Sequence, residues 1–223
     1  MECRRVSDIK FKRLSADERQ AAMINAALEL IAEQGLAGTT VRAIAARAGV
    51  TPGLIRHYFA SKQDLIAAAF EYHMSSMTQR SQPQGSDISH GALHQLAAFI
   101  YAALTSPVVG PKSLTIWAAF LQQVSKNDAL RRVHQETYHG FRNALQVHLH
   151  AAFDEMGRTV DPIILRQLAI ACNAVIDGLW LEGGALPDDF GQDELPALGL
   201  RAIGAIVDMD LCEIARSGGI LSR

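Results

Sequence analysis

A tight turn between two short helical segments is the feature that most restricts how this chain can fold. The Thr40 side chain can cap a first helix, in which Val41, Ile44 and Ala45 form an apolar stripe at helical spacing. Gly49 then ends that helix, because glycine enters the left-handed conformation without a Cβ clash and lets the chain reverse within about three or four residues. This stretch therefore predicts two helices joined by a turn.

The second helix of the pair begins directly after the turn. Thr51 is a suitable N-cap, and Pro52 has the fixed φ angle and the missing N–H that suit the first helical position. A helix–turn–helix of this kind places its second helix in the major groove of DNA. We therefore expect the helix that starts after Thr51 to be a DNA-reading helix.

Helix signals recur along the rest of the chain, and strand signals do not. Ser15 and Glu18 form a capping box, Ser61 caps a later helix, and Asp161 with Pro162 begins another. Further helices are predicted over about residues 90–104, 113–124, 128–155 and 194–217. The predicted fold class is therefore all-α, with a three-helix helix–turn–helix DNA-binding domain and a larger helical bundle for ligand binding and dimerisation.

A polar segment rich in proline and glycine, residues 81–86, is the clearest boundary in the chain. We expect a basic N-terminal arm over residues 1–14, the helix–turn–helix domain over 15–60, a connecting helix over 61–80 and a helical ligand-binding and dimerisation domain over 81–223. A chain of 223 residues with 49% apolar residues can bury a sizeable core in one or two such domains.

The charge is divided unevenly along the chain, although the net charge of the whole is only −2. Residues 1–62 contain ten Lys and Arg against six Asp and Glu, a net of +4, and residues 63–223 contain eleven against seventeen, a net of −6. Neutralising phosphates with Arg and Lys supplies most non-specific affinity for DNA. The basic part of the chain is thus the part with the predicted helix–turn–helix.

The cysteines and the apolar runs argue against several classes of protein. Cys3, Cys172 and Cys212 are far apart and form no CxxC spacing, which disfavours a disulfide framework or a structural zinc site. No run approaches the roughly 18 apolar residues that a membrane span needs, and the N-terminus has no apolar signal core. The expected location is the cytoplasm, with no membrane partner.

The sequence contains no recognisable catalytic constellation. His90 and His94 have the four-residue spacing of a shared metal site, yet no HExxH frame and no placed third ligand accompany them. A GxSxG motif, a phosphate-binding loop and a dinucleotide-binding glycine run are all lacking, and Cys172 has no evident activating base. We therefore expect a protein that is not an enzyme and needs no cofactor or metal.

Residues 35–65 resemble the DNA-binding domain of the TetR family of bacterial transcriptional regulators. The resemblance depends on positions that fall in one register, namely Gly49, Gly53, His57-Tyr58-Phe59, Lys62 and Leu65. The C-terminal part is similar to the choline-responsive BetI branch of that family, in GPK at 110–112, WAAF at 117–120 and IDGLWL at 176–181.

The resemblance implies a homodimeric regulator, most simply a repressor, that binds a palindromic operator in double-stranded DNA. Its release would be caused by a small-molecule effector, with choline or a related quaternary ammonium compound as the leading candidate. Activation instead of repression stays open. A DNA-independent helical adaptor is the alternative function, and it would show no salt-dependent affinity for duplex DNA.

The resemblance also assigns the DNA contacts. Small side chains at the start of the reading helix allow close approach to base edges, and Arg56 stands where relatives commonly carry tyrosine, which favours a contact to phosphate or guanine. The implied DNA-binding residues are Thr40, Arg42, Thr51, Pro52, Gly53, Leu54, Arg56, His57, Tyr58 and Lys62. Thr51 and Pro52 have a simpler explanation as a helix start, and Lys62 has one as a solvated charge.

Aromatic residues in the C-terminal part are few and fall on separate predicted helices that can converge. A wall of aromatic rings with a carboxylate such as Asp177 is how proteins hold a cationic ammonium ligand. The ligand-binding residues predicted on this basis are Tyr101, Trp117, Phe120, Tyr138, Asp177 and Trp180. Ordinary core packing is the alternative explanation for each aromatic residue.

Small residues on the last two predicted helices favour self-association, because they permit close approach of a second pair of helices. These residues are Ala171, Ala174 and Gly178 on the first helix and Ala202, Gly204, Ala205 and Ile206 on the second. A protein that reads one DNA half-site gains affinity by pairing, so we expect a homodimer with a four-helix interface. Packing within the monomer is the alternative.

Overall fold

The structure, a computed structural model, describes residues 15–222 and is built from α-helices. The predicted all-α class is confirmed, and no strand occurs between residues 15 and 222. The first four helices are α1 (Ala16–Gly38), α2 (Val41–Arg47), α3 (Pro52–Tyr58) and α4 (Lys62–Ser81). The basic arm predicted for residues 1–14, which contains Cys3, lies outside the described residues.

The second part of the chain adds six helices of unequal length. They are α5 (Ala92–Ala103), α6 (Pro111–Val124), α7 (Asp128–Glu155), α8 (Pro162–Ala185), α9 (Glu194–Val207) and α10 (Leu211–Ser217). Local caps explain where the two longest begin, since the Asn127 side chain accepts hydrogen bonds from the first turn of α7 and the Asp161 side chain does the same for α8. Short 3₁₀ turns at Gly85–Ser89 and Pro187–Asp189 complete the connections.

The sequence pattern predicts one continuous final helix, and this prediction is wrong. The chain leaves α9 at Asp208, which adopts a left-handed φ of 57°, and Asp210 then caps α10 by accepting the Glu213 N–H at 2.9 Å. The returning backbone passes close to Gly204, where a Cβ would lie 2.5 Å from the carbonyl oxygen of Met209. A side chain at position 204 would therefore block the turn between α9 and α10.

The buried apolar side chains form two separate cores. The N-terminal core combines α1 to α4 with Ile116 and Phe120 from α6 and Leu130 from α7. The C-terminal core is formed by α5, α7, α8, α9 and α10. α4 reaches both, because Phe70 is buried in the N-terminal core and Met77 packs against the C-terminal core. Movement of α4 is therefore bound to affect the packing of both cores.

Among the described residues, α8 is long and apolar enough to cross a membrane by length and composition alone. The sequence contains no uninterrupted apolar run of that length, since Arg166, Asp177 and Glu182 interrupt the apolar residues of α8. α8 packs against α6, α7 and α9, and it contributes buried residues such as Cys172 and Ile176 to the C-terminal core. Only 33% of its most apolar stretch is buried, so part of the hydropathy lies on an exposed face of the helix.

Candidate DNA interface and ligand cavity

The turn between α2 and α3 has the geometry that the sequence predicts. The Thr40 hydroxyl caps α2 by accepting the Ala43 N–H at 3.1 Å. Gly49 adopts a φ of 65°, and the Val50 N–H then returns to the carbonyl of Ala45 at 2.9 Å. A left-handed residue at this point is easiest for glycine, because other residues suffer a Cβ clash.

α3 has a buried face and a face in solvent. The Thr51 hydroxyl accepts the Leu54 N–H at 3.2 Å, which fixes the start of the helix, and Pro52 follows in its first turn. Ile55 and the following Phe59 are buried in the N-terminal core and hold the helix in place. The start of α3 is therefore rigidly presented at the surface.

Arg47 holds α2 against α1 through two carboxylates that sequence reasoning overlooked. Its guanidinium lies 2.7 Å from a carboxylate oxygen of Glu33 and 3.2 Å from one of Glu29. The hydrogen bonds from Arg47 lower the pKa of Glu33 below its usual value. Because all three groups are largely exposed, the contact serves more to orient α2 than to stabilise the fold.

The ten predicted DNA-binding residues all lie on or beside α2 and α3, but they differ in exposure. Leu54 and Tyr58 are half-buried and pack against the N-terminal core. Lys62 is also half-buried, and its Nζ donates a hydrogen bond to the carbonyl of Leu36 at 3.4 Å, which ties α4 to the end of α1. The fully exposed members are Thr40, Arg42, Thr51, Pro52, Gly53, Arg56 and His57.

Arg42 and Arg56 are the predicted contacts with the greatest freedom to meet an anion. Both are exposed, and neither forms a hydrogen bond or an ion pair with another residue between 15 and 222. His57 is exposed as well and touches the edge of Tyr58, with ring centroids 5.5 Å apart. The surface of α2 and α3 thus combines small residues at a helix start with unpaired cations beside it.

A cavity of about 430 Å³ lies between α4, α6, α7 and α8. Four of the six predicted ligand-binding residues line it, namely Trp117, Tyr138, Asp177 and Trp180. The structure adds others that sequence reasoning missed, including Met74 and Met77 from α4, His134 and Phe141 from α7, and Leu121 from α6. The cavity is therefore mostly apolar, with a single carboxylate in its wall.

The two tryptophans form one corner of this cavity. Their rings meet edge to face, with centroids 5.6 Å apart and an interplanar angle of 72°. The Trp180 indole N–H donates to the carbonyl of Val108 at 2.9 Å, so that this ring is held in a fixed position. Trp117 is half-buried, and no hydrogen bond between residues 15 and 222 fixes its ring in the way that Val108 fixes Trp180.

Asp177 is held by two neighbours that donate hydrogen bonds to the same oxygen. The Tyr138 hydroxyl lies 2.5 Å from Oδ2, and the Asn173 amide nitrogen lies 2.8 Å from it. Burial raises the pKa of Asp177 above its usual value, although both hydrogen bonds act in the opposite direction. Burial also raises the pKa of Tyr138 to about 12, so the phenol stays protonated. Asp177 Oδ1 has no hydrogen-bond partner between residues 15 and 222.

Tyr101 and Phe120 do not line the cavity, and we leave them out of the ligand site. The Tyr101 hydroxyl donates to Asp193 at 2.8 Å, on the side of α5 that faces the start of α9. Phe120 is fully buried and stacks on Phe70 of α4, with ring centroids 4.4 Å apart. Core packing, the alternative considered for each aromatic residue, accounts for both of these side chains.

The outer face of α8 carries several exposed apolar and small residues. Ile163 is 66% exposed, Ile170 is 37% exposed, and Ala171, Ala174 and Gly178 also face solvent. α9 continues this surface with its exposed residues Leu198, Ala205 and Ile206. Gly204 is not part of this exposed surface, because it packs against the turn before α10. For this residue, the alternative explanation of packing within the monomer is the better one.

Neither the histidines nor the cysteines form a site of another kind within residues 15–222. No group of three His, Cys, Asp or Glu residues is placed to hold a metal ion there. His90 stacks on His94, with ring centroids 4.2 Å apart, and His94 Nε2 contacts Asp87 at 3.0 Å. Burial raises the pKa of the Cys172 thiol to about 12, which leaves it protonated near neutral pH.

Two protein families match the chain in succession. Residues 23–69 match the family described as bacterial regulatory proteins, tetR family. Residues 92–208 match the family described as BetI-type transcriptional repressor, C-terminal. The HTH-type transcriptional regulator BetI of Burkholderia thailandensis is 31% identical over 171 residues, which cover 74% of this chain and 81% of that protein. These relatives are transcriptional regulators and not enzymes.

Solved structures of similar proteins share the whole fold. A transcriptional regulator from Pseudomonas aeruginosa PAO1 is 31% identical with a TM-score of 0.73, covering 94% of this chain and 98% of its own. FadR from Bacillus subtilis in complex with stearoyl-CoA is 27% identical with a TM-score of 0.64, covering 84% and 97%. A regulator from Saccharomonospora viridis in complex with choline is 17% identical, covering 86% and 96%, and its TM-score of 0.64 shows a shared fold.

Proposed function

The chain belongs to the TetR family of bacterial transcriptional regulators and has a C-terminal part of the BetI type, and from this premise we propose how it acts. It is a homodimeric repressor that binds a palindromic operator through α2 and α3. A cationic effector, choline or a related quaternary ammonium compound, enters the cavity between α4 and α8 and releases the operator. The protein acts in the cytoplasm, where the bacterial chromosome lies.

The proposed DNA contacts follow from the exposure of α2 and α3. Thr51, Pro52 and Gly53 stand at the exposed start of α3, where small side chains let the helix approach base edges in the major groove. Arg56 lies one turn further along and supplies an unpaired guanidinium for a phosphate or for guanine. Arg42 at the start of α2 is placed to contact the DNA backbone.

Tyr58 and Lys62 have smaller roles in this proposal. The Tyr58 hydroxyl can donate to a phosphate while its ring packs on the N-terminal core. Lys62 already bonds to Leu36 within the chain, so a phosphate contact would have to compete with that hydrogen bond. Thr40 and Leu54 help to shape the surface, and His57 extends it beside Tyr58.

The single observation that supports a cationic effector is the half-buried carboxylate of Asp177 in an otherwise mostly apolar and aromatic cavity. Burying an ionised carboxylate costs free energy unless a counter-charge accompanies it, and the raised pKa of Asp177 reports that cost. The rings of Trp117, Trp180 and Tyr138 offer their faces to a desolvated cation in the same space. An acyl chain would leave the carboxylate without a counter-charge. The choline-binding relative is therefore a better guide to the effector than the acyl-CoA-binding one.

Dimerisation is proposed through the exposed faces of α8 and α9. The small residues Ala171, Ala174 and Gly178 allow two copies of α8 to approach closely, and Ile170 supplies apolar surface to bury. A two-fold dimer presents two α3 helices to successive major grooves. Effector binding then needs only to change their spacing. The effector and the operator each weaken the binding of the other by the same factor, typically about 5-fold to 150-fold.

Fluorescence anisotropy with DNA flanking the gene for this protein tests the proposal. We expect tight binding that weakens steeply with salt, a large loss in Arg56→Ala and Arg42→Ala, and release by choline chloride. Arg80→Ala is the matched control, because Arg80 is an exposed arginine at the far end of α4. Choline-independent binding would refute the effector. Lack of specific binding would leave the DNA-independent adaptor as the better explanation.

A further inference from the structure

A continuous series of ring contacts runs from the cavity into the N-terminal core. Tyr138, which holds Asp177 at the cavity, lies one turn of α7 after His134, and their ring centroids are 5.6 Å apart. His134 in turn is parallel to Phe70 of α4, with an interplanar angle of 9° and centroids 6.2 Å apart. Phe70 stacks on Phe120 of α6 at 4.4 Å.

His134 is the only member of this series, among the described residues, that both lines the cavity and touches Phe70. Tyr138 lines the cavity without a ring contact to Phe70, and Phe70 is fully buried and does not reach the cavity. His134 of α7 therefore borders the cavity on one side and Phe70 of the N-terminal core on the other.

The polar atoms of His134 support an assignment to the cavity rather than to the core. Its Nδ1 is buried without a hydrogen-bond partner between residues 15 and 222, and the residue lines the cavity. A core ring chosen only for packing would be expected to be apolar, because an unpaired buried nitrogen costs free energy. A ring that lines the cavity is instead placed to be moved by a bound molecule.

We propose that His134 transmits occupancy of the cavity to the DNA-binding part of the protein by displacing Phe70 of α4. The proposal rests on the proposed function, since it concerns the same effector cavity. A ligand that fills the cavity beside His134 pushes the imidazole against Phe70, and α4 carries that shift to its N-terminal end, directly after α3. Densely packed rings transmit such a shift because the core has no space to absorb it.

Three variants of the full-length protein test the proposal. His134→Ala removes the ring, His134→Phe keeps the ring and removes the nitrogens, and His148→Ala is the control. His148 lies on the same helix and is also half-buried, and its ring contacts that of Phe99 outside this series, with centroids 4.9 Å apart. For each variant, calorimetry gives the Kd for choline, and anisotropy gives the operator Kd with and without saturating choline.

We expect His134→Ala to bind choline and operator separately while choline weakens its operator binding at least about 3-fold less than in the unsubstituted protein. His134→Phe should restore most of that coupling, and His148→Ala should keep all of it. Retained binding of choline and of operator by His134→Ala is a result that a merely destabilised protein would not give. Coupling in His134→Ala equal to that of the unsubstituted protein would overturn the proposal.

A second pair of variants decides the proposal even if choline proves not to be the effector. Leu121→Trp enlarges a side chain at the cavity and imitates occupancy without any ligand. We expect it to weaken operator binding about 5-fold or more, and to do so much less when His134→Ala is added. Equal weakening with and without the ring at position 134 would overturn the proposal. Absence of choline binding would refute only the effector assigned under the proposed function.

Discussion

The ionised form of Asp177 would favour binding of a cation, whereas its protonated form favours the stability of the fold. Its pKa is raised because burial disfavours the ionised form, so the folded protein holds this proton more tightly than the unfolded chain does. The stability contributed by the protonated carboxyl is therefore fully present below the pKa of the unfolded chain and is lost as the pH rises through the folded pKa. A bound cation would remove part of this cost.

Replacing Asp177 with asparagine should therefore raise the melting temperature of the ligand-free protein at neutral pH. The same change should weaken choline binding by at least about tenfold, because the counter-charge is lost. Thermal unfolding with and without choline measures both effects. Asp208→Asn is the control, since Asp208 is exposed and asparagine tolerates its left-handed backbone. A variant still stabilised by choline would remove Asp177 from the ligand site.

Choline affinity should fall when the pH is lowered through the pKa of Asp177. The fall should begin at a higher pH than an exposed aspartate would give, because burial raises this pKa. Burial lowers the pKa of His134, and Tyr138 has a pKa of about 12, so neither group changes charge near neutral pH. Calorimetric titrations across a pH series provide the measurement. A profile as flat as that of Asp177→Asn would contradict the expectation.

At the scale of single helices, local signals in the sequence were sufficient for most of the fold. The caps at Thr40, Thr51 and Asp161 and the left-handed Gly49 depend on neighbouring residues only, so a pattern can reveal them. The break between α9 and α10 could not be seen in this way. It depends on Asp208 adopting a conformation that aspartate only tolerates, and on backbone packing across Gly204.

Four of the six residues predicted for the ligand site line the cavity, and the two others do not. Trp117 and Phe120 are three residues apart on α6, and composition alone does not tell which of them faces the cavity. The partners of Asp177 and Tyr138 did have a signal, since Asn173 and His134 each precede them by four residues on the same helix. A search for polar pairs at that spacing would have found both.

Two glycines of the helix–turn–helix should respond to alanine in opposite ways. Gly49→Ala should lower the free energy of unfolding by about 1–2 kcal/mol, because φ is 65° there. Gly53 is an exposed residue of α3, and a Cβ added there would meet nothing nearer than 3.9 Å. Gly53→Ala should therefore raise the free energy of unfolding by about 0.5–1 kcal/mol. Denaturant unfolding measures both.

If Gly53 lies against DNA as proposed, the stabilised Gly53→Ala protein should nevertheless bind its operator more weakly. The added methyl group would then separate α3 from the base edges. Anisotropy on the same samples checks this expectation. Unchanged operator binding in a stabilised Gly53→Ala protein would place the DNA contact elsewhere on α3.

For the whole molecule, the dimer proposed through the exposed apolar face of α8 can be tested by one substitution. Ile170→Arg should convert the dimer to a monomer, since it places two charges in an apolar two-fold contact. Val147→Arg is the control, because Val147 is 67% exposed on α7, outside that face. Sedimentation analysis gives the mass, and operator affinity should fall with it. A dimeric Ile170→Arg protein would exclude this face as the interface.

The placement of both tryptophans gives the molecule an optical property. The chain has two tryptophans, Trp117 and Trp180, and both line the cavity, whereas α1 to α4 contain none. Light absorbed selectively by indole therefore excites the wall of this cavity alone, and a molecule that enters the cavity should quench or shift that emission. DNA bound at α2 and α3 changes the signal only if the two sites are coupled. Tryptophan fluorescence of the unlabelled protein would then measure coupling between the cavity and the DNA-binding surface.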